Sequence, residues 1–366
     1  MERVIGHIDI DYFYAQVEEV EDPSIKERPV IVCVFSGRSE DSGVVSTANY
    51  RARELGVHSG MPIVLAKKKL EGKNAAVIKM DHEKYEVVSS RIMDELAQKV
   101  DILEPTGIDE AFFDLTGSTA GDYAKGQKTA EAIKELILAN EHLTCSVGLG
   151  RSKIVAKLGS DTAKPGGLKV VAPEKTKAFL SPLPVTKLYG VGLKTAATFN
   201  ELGIKTIGDL ARTDLSKLDP RFGRKFGAYL LSAAKGEDDD PVRAGLEPTQ
   251  FSRIVTLKRD TRDSSEAFEQ LVAGIGYVHD KLVSSGKSFR TITAIVIMSD
   301  LSTKTKSKTF EIPVNDLAIL RESTFSLFDE LSGTVNKDFR RVGLRVSGFT
   351  SVEDQTSLSE FLHPVR

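Results

Sequence analysis

Apolar residues along this chain arrive in two rhythms, and each predicts a different element. Val4, Ile5, Ile8 and Ile10 mark a strand over residues 1–10, and "PVIVCVF" (29–35) marks a second. After the polar turn "SGRSEDSG", "VVSTA" (44–48) reads as a third, short strand. "NYRARELG" then has a helical pattern that stops at Gly56. From Tyr85 the period lengthens, with Tyr85, Val88, Ile92 and Leu96 recurring at steps of three and four. "GIDEAFFDLTG" (107–117) is strand-like, and residues 126–139 form a long amphipathic helix. "TCSVGLG" follows as a strand and "SKIVAKLGSDTA" as a helix. Strands interleaved with helices and hairpins predict an α+β sheet with its helices on one face.

The texture changes after "AKPGGLKVV". Residues 173–234 hold short helical pieces broken by Gly and Pro, and the acidic "EDDDP" (237–241) reads as an exposed linker. From Phe251 strands return in "RIVTLKR", "TITAIVIMSD", "TKSKTFEIPV" and "RRVGLRVSGF", with helical stretches between most of them. The tail beyond Thr350 is polar, and no long-period repeat or low-complexity tract interrupts the chain.

A length of 366 residues exceeds one comfortable core and predicts two to four domains. The apolar runs are too short to span a bilayer, and "MERVIGHIDID" reaches an acid before a secretory segment could form. A cytoplasmic protein without membrane attachment is expected. Cys33 and Cys145 sit among apolar residues and read as buried thiols in a reducing compartment. The net charge of −2 carries no global signal for nucleic acid, so any such signal lies in its distribution. Residues 241–350 hold 16 basic against 13 acidic side chains. Lys304, Lys306 and Lys308 fall at period two, and Arg341 and Arg345 also share a face. This alternation is expected to concentrate positive charge on a sheet face that follows phosphates.

The candidate chemistry is acidic. Asp9 and Asp11 flank Ile10, so on one strand they point to the same side of the pleat; a second pair, Asp109 and Glu110, lies in another strand-like segment. Taken singly, each is a solvated strand end. If the two strands are neighbours, the carboxylates converge, repel and need a cation. An oxygen-only set without adjacent His or Cys selects Mg²⁺, and two such ions suit in-line phosphoryl or nucleotidyl transfer. Thr47, Tyr50 and Arg53, with Arg53 one turn beyond Tyr50, are candidate phosphate ligands. Lys164, just before Pro165 and two glycines, is another.

Together "HIDIDYFYAQVEE", "VVSTANYRARELGV", "SGMPI", "GIDEAFFDLTG" and "CSVGLGRSKIVAKLGSDTAKPGGL" strongly resemble the Y-family DNA polymerases, in the polymerase IV branch with its archaeal members. The resemblance runs in order from about residue 3 to 350. It implies a right-hand polymerase with a palm (1–10 and 79–168), small fingers (11–78), a helical thumb (169–234), a linker (235–246), an α/β little finger (247–350) and a flexible tail (351–366). By the same resemblance Asp9, Asp109, Glu110 and the carbonyl of Ile10 hold two Mg²⁺ ions, while Asp11 is structural, as a cap of the following helix. The backbone amides of Tyr12 and Phe13 meet the triphosphate, as do Thr47, Tyr50, Arg53 and Lys164. Tyr14 is the steric gate that leaves no room for a ribose 2′-hydroxyl. Val34, Val44 and Ser46 form a light roof over the nascent base pair, and a chain without tryptophan has nothing bulkier to add.

"LPVTKLYGVGLKTAATFNELGIKTIGDL" (183–210) resembles a helix–hairpin–helix whose Gly190 and Gly192 let backbone amides approach a DNA phosphate. "QTSLSEFL" (355–362) resembles a clamp-binding peptide, with Gln355, Leu358, Phe361 and Leu362 directed to the sliding clamp (PCNA). The implied protein is a monomeric, error-prone, template-directed DNA polymerase of translesion synthesis, using deoxynucleoside triphosphates on primer–template DNA. A nucleotide cyclase or template-free nucleotidyltransferase on the same palm needs neither the hairpin nor a basic C-terminal sheet. A non-catalytic DNA or clamp adaptor has no physical need for Asp9, Asp109, Glu110, Tyr50, Arg53 and Lys164 together.

Overall fold

The computed structural model describes residues 1–245 and 247–351; the clamp-peptide positions Gln355, Leu358, Phe361 and Leu362 lie outside them. Two compact units result: Met1–Val34 with Val44–Leu246, and Phe35–Gly43 with the residues from Glu247 onward.

The chain opens with β1 (Ile5–Ile10), α1 (Phe13–Glu21), β2 (Val30–Phe35), β3 (Gly43–Ala48), α2 (Tyr50–Glu54), α3 (Ile63–Leu70) and β4 (Ala76–Lys79). Next come α4 (His82–Ala97), β5 (Ile102–Pro105), β6 (Glu110–Asp114), α5 (Thr116–Thr119), α6 (Tyr123–Glu141), β7 (Cys145–Gly150), α7 (Lys153–Ala163) and β8 (Leu168–Val170). β1 lies at the centre of a five-stranded sheet of order β5-β6-β1-β7-β8, antiparallel to both neighbours. It is buried along nearly its whole length, although His7 and Asp9 interrupt its apolar residues.

Period-two alternation divides this palm sheet into two working faces. Ile8 and Ile10 of β1, Ala111 and Phe113 of β6, and Val147 and Leu149 of β7 share a core with Tyr85, Val88, Ile92 and Leu96 of α4 and with Ile133 and Ile137 of α6. Ile5, His7 and Asp9 point the other way, and α7 covers that face. Helices therefore cover the palm on both faces, not on one as the pattern predicted. Glycine makes this possible, because a Cβ on Gly148 would lie 2.0 Å from the carbonyl oxygen of Ala156. α7 packs directly on the strand backbone. The smaller sheet, of order β3-β2-β4, shares Val30, Val32 and Ala76 with the same core.

The thumb is helical, as the broken pattern predicted: α8 (Thr176–Leu180), α9 (Leu193–Glu201), α10 (Ile207–Ala211), α11 (Leu215–Phe222) and α12 (Arg224–Ala234). They close around Phe199, Leu210, Leu218 and Leu230, and Thr206 with Asp209 forms a reciprocal cap on α10. The acidic stretch after α12, expected to be an exposed linker, is mostly exposed but is also tied to the palm. Arg3 donates to the carbonyls of Asp238 and Asp240, Lys153 pairs with Asp240 at 2.9 Å, and Val242 is buried with Ile5 and Ala156. These contacts hold the segment against the palm, and it belongs to the first unit.

The second unit contains β9 (Gln250–Thr261), α13 (Ser264–Ser284), β10 (Lys287–Met298), β11 (Thr303–Val314), α14 (Leu317–Ser332) and β12 (Phe339–Ser351). Its antiparallel sheet has the order β11-β10-β12-β9 and carries both helices on one face, over Ile292, Ala294, Val296, Val342, Leu344 and Val346. Register then overturns the single basic face. Lys304, Lys306 and Lys308 stand opposite Val296, Ala294 and Ile292, on the helix side, where Lys306 pairs with Glu330 of α14. Arg341 and Arg345 stand opposite Ile297 and Thr293, on the other side. Directly paired residues in an antiparallel ladder share a face, so lysines and arginines point apart.

Candidate active site

The site forms where β1 ends. After Ile10 the chain turns sharply through Tyr12, whose φ of 36° is left-handed, and enters α1. The Ile10 amide donates to the carbonyl of Asp109 at 2.8 Å, and this draws the start of β6 against the end of β1. A cleft of about 260 Å³ opens here. Asp9, Ile10 and Asp109 line one side of it, and Tyr12, Phe13 and Tyr14 line its floor. Thr47, Tyr50, Arg53 and Lys164 complete it, with Ser46 and Ser59 beside them. Residues separated by more than 150 positions thus share one small space, as the sequence reading required.

The electrostatics are uneven. Burial raises the Asp9 carboxyl above its ordinary range, and the Lys164 ammonium, 2.7 Å away, opposes that. Burial costs Lys164 its charge too, but Asp9 outweighs this and raises the ammonium. Asp109 is raised by burial and then by the neighbouring charge of Glu110. Two partly desolvated carboxyls with raised proton affinity, in a cleft that Ile10 also lines, are oxygen donors suited to a hard divalent cation. Arg53 is aimed by its Nε bond to the Ala48 carbonyl (2.8 Å) and lies over the Tyr50 ring at 5.1 Å.

Glu110 departs from expectation. It pairs directly with Asp9 in the β1–β6 ladder, yet its carboxylate bonds Lys157 of α7 at 2.6 Å and approaches the His7 ring at 3.5 Å. His7, then Lys157, hold its carboxyl down at about 2. It lines a second cavity, of about 510 Å³, with Phe112, Ile154, Tyr189 and Tyr229. Among the described residues no three acidic, His or Cys side chains are gathered to hold a metal ion. Asp9 and Asp109 line the cleft, Asp9 paired with Lys164, while Glu110, opposite Asp9 in the ladder, is paired with Lys157 of α7.

Asp11 is structural, as expected, but it is no helix cap. Tyr12 holds the N-cap position of α1, without a side-chain bond. Asp11 is fully buried and accepts from Ser146 Oγ at 2.8 Å, Thr144 Oγ1 at 2.9 Å, the Gly166 amide at 2.8 Å and Tyr50 Oη at 3.3 Å. It ties β7, the turn after Lys164 and α2 to the end of β1. A buried carboxylate with four donors needs no cation.

Sequence reasoning missed His7, Lys157 and Ser160. His7 is wholly buried, its Nδ1 2.7 Å from Ser160 Oγ, and burial keeps its pKa low. The signal was available in "SKIVAKLGSDTAK": Lys153 and Lys157 stand one turn apart on one helix, and Lys164 follows directly after its end. In the thumb, Gly190 takes a φ of 85° and Gly192 is the N-cap of α9, with open space around its Cα.

Comparison with known proteins agrees with this architecture. The impB/mucB/samB family matches residues 8–161, its C-terminal domain matches 248–359, and a thumb domain described from DNA polymerase-iota matches 186–238. The DNA polymerase IV of Methanosarcina acetivorans is 42% identical over 367 residues, covering 99% of this chain and 100% of that one. That of Nitrosopumilus maritimus is 39% identical, covering 98% and 99%. Among solved structures, a Y-family DNA polymerase chimera, Dbh-Dpo4(243-245)-Dbh, superimposes with a TM-score of 0.89 at 34% identity over 95% of this chain and 99% of that one. An insertion ternary complex of Dbh DNA polymerase gives 0.70 at 34% identity, over 95% and 99%. With palm, fingers, thumb and little finger all accounted for over nearly its whole length, the chain belongs to the Y-family DNA polymerases, in the archaeal polymerase IV branch, and is a DNA-directed DNA polymerase.

Proposed function

We propose that this translesion polymerase extends primer 3′ ends from the cleft at the end of β1, by two-metal-ion transfer, and does so with low fidelity. Membership of the family brings a general dependence on a divalent metal. The observation that carries the reading is the sharing of one cleft by Asp9 and Asp109 with Thr47, Tyr50, Arg53 and Lys164. Carboxylates and phosphate ligands in one cleft match a substrate that needs a cation where its phosphates react.

Asp9, Asp109 and the Ile10 carbonyl would hold Mg²⁺, and Glu110 would join them once turned from Lys157. The bound ions would lower the pKa of the primer 3′-hydroxyl and neutralise the triphosphate. Arg53 grips the phosphates as a planar fork, and Lys164, freed from Asp9, meets them as a point charge. The Tyr12 and Phe13 amides, at the open start of α1, face the same phosphates. Tyr14, on the floor, excludes a 2′-hydroxyl by contact. The roof over the base pair, with Val34 and Val44 at 44% and 38% exposure, is small and offers little geometric rejection of a misshapen pair.

Primer–template DNA is gripped by the Gly190–Gly192 hairpin and by the Arg341 and Arg345 side of the C-terminal sheet, where the buried Nε of Arg345 has no hydrogen-bond partner. The tail peptide through Gln355, Leu358, Phe361 and Leu362 would recruit the sliding clamp to a monomeric polymerase. The adaptor and palm-only alternatives lose their basis in the full-length relationship to polymerases. The test is primer extension opposite an abasic site and an undamaged base, comparing wild type with Asp109→Ala. Loss of both reactions is expected; extension by Asp109→Ala at the wild-type rate would overturn the assignment.

A further inference from the structure

Behind the floor of the cleft lies a buried arrangement that none of the roles above uses. Tyr14 and Glu18 are four residues apart on α1, so they stand on the same face one turn from each other. Tyr85 of α4 lies across both. Its ring stacks on the Tyr14 ring, with centroids 4.4 Å apart and planes 28° from parallel. Its hydroxyl donates to the Glu18 carboxylate. Tyr85 is fully buried, and Glu18 is 8% exposed. The charge of Glu18 is met by Lys84, the residue beside Tyr85, at 2.7 Å; Lys84 also reaches Glu21 at 2.8 Å.

This is more polar machinery than core packing needs. A phenylalanine at 85 would fill the same space against Phe13 and Tyr14 without needing an acceptor at the end of its ring. What the hydroxyl adds is direction. A ring anchored only by apolar contacts can slide along its neighbour, whereas a charge-assisted bond at the far end fixes where the ring plane sits. Burial and then Glu18 keep the Tyr85 hydroxyl protonated, so it remains the donor.

We infer that Tyr85, anchored by Glu18, is the backstop that holds the Tyr14 ring in place and so sets how strictly the polymerase rejects ribonucleotides. The inference rests on the gate reading of Tyr14. Tyr14 is one layer from solvent and must not yield when a 2′-hydroxyl presses on it. On the α4 side of the Tyr14 ring, Tyr85 occupies the space into which it would yield. Glu18 and Tyr85 touch no substrate; they are positioning residues.

The experiment measures kcat/KM for dATP and for ATP opposite the same template thymine, in wild type, Tyr14→Ala, Tyr85→Phe, Glu18→Gln and the doubles of the last two with Tyr14→Ala. Thermal melting of each variant confirms folding. Tyr85→Phe keeps the ring, and Glu18→Gln keeps the shape and an acceptor. Each single change is expected to lower the dATP-over-ATP ratio by roughly 3- to 30-fold, because a charge-assisted bond or its charge is lost. Most of the change should appear as a gain in ATP use, which a general weakening of the fold would not produce. In the Tyr14→Ala background the same changes should leave the ratio where Tyr14→Ala alone puts it. If Tyr14→Ala collapses the ratio while folded Tyr85→Phe and Glu18→Gln keep the wild-type value, the backstop is overturned and the gate stands. If Tyr14→Ala itself leaves the ratio unchanged, the gate reading fails and the backstop with it.

Discussion

Replacing Gly148 by alanine tests whether the α7 face of the palm is built to fine tolerance. The added Cβ would lie 2.0 Å from the Ala156 carbonyl oxygen, 2.3 Å from the Ser160 amide nitrogen and 2.8 Å from the Gly159 carbonyl carbon. All three are backbone atoms, so no side chain can rotate away to relieve the clash. Restoring even a 3.0 Å contact moves α7 outward by about 1 Å, against a packing that has no slack. That helix carries Lys157, 2.6 Å from Glu110, and leads into Lys164, 2.7 Å from Asp9. Overpacking of this kind costs about 1–3 kcal/mol, and the upper end is expected where backbone meets backbone. A displacement of ~1 Å at the catalytic end of the helix should slow nucleotide incorporation by on the order of 100-fold. Urea unfolding reports the stability and single-turnover primer extension reports the rate. A Gly148→Ala protein that unfolds within about 0.5 kcal/mol of wild type and incorporates at the wild-type rate would refute the reasoning.

Other outcomes follow from the same geometry. Tyr14→Ala should raise ribonucleotide incorporation sharply, read as the ratio of dATP to ATP use. Removing both Arg341 and Arg345 should weaken DNA binding and reduce the slope of log affinity against log salt by about 2. Neutralising Lys304, Lys306 and Lys308 together should change that slope less, since they stand on the helix side of the sheet; equal effects would contradict the register argument. Glu110, held at about 2 against an ordinary 4.5, contributes stability that is present above pH 4.5 and lost as pH falls toward 2. The stability difference between wild type and Lys157→Met should therefore shrink on acidification from pH 5 to 2, as followed by urea midpoints. Thr206→Ala removes one half of the α10 cap and should destabilise the thumb by about 1 kcal/mol in a thermal melt.

Much of the molecule was legible along the chain. Period two marked β1, apolar runs marked β2 and β7, and a period of three to four marked α4, because burial leaves its mark on residue type. The residues of the cleft were legible for a different reason. Asp9, Tyr14, Thr47, Tyr50, Arg53, Asp109 and Lys164 each sit in a local run whose residue types suit a backbone turn or a phosphate, and those runs carry the family resemblance. What the chain could not disclose depends on which strand lies beside which, and on distances between residues far apart in order. Period two placed three lysines together and two arginines together, but only the pairing of β10 with both β11 and β12 decided that the groups point to opposite sides. The acidic "EDDDP" is mostly exposed, as its composition suggests, but only the structure shows Arg3 and Lys153 tying it to the palm. Glu110 was correctly placed at a strand end, yet its carboxylate answers to an ammonium on α7, a helix seated close because Gly148 has no side chain. Sequence determines which groups can be charged, buried or bent. The fold decides which opposite charge is nearest, because Coulomb attraction acts through space and takes no account of order along the chain.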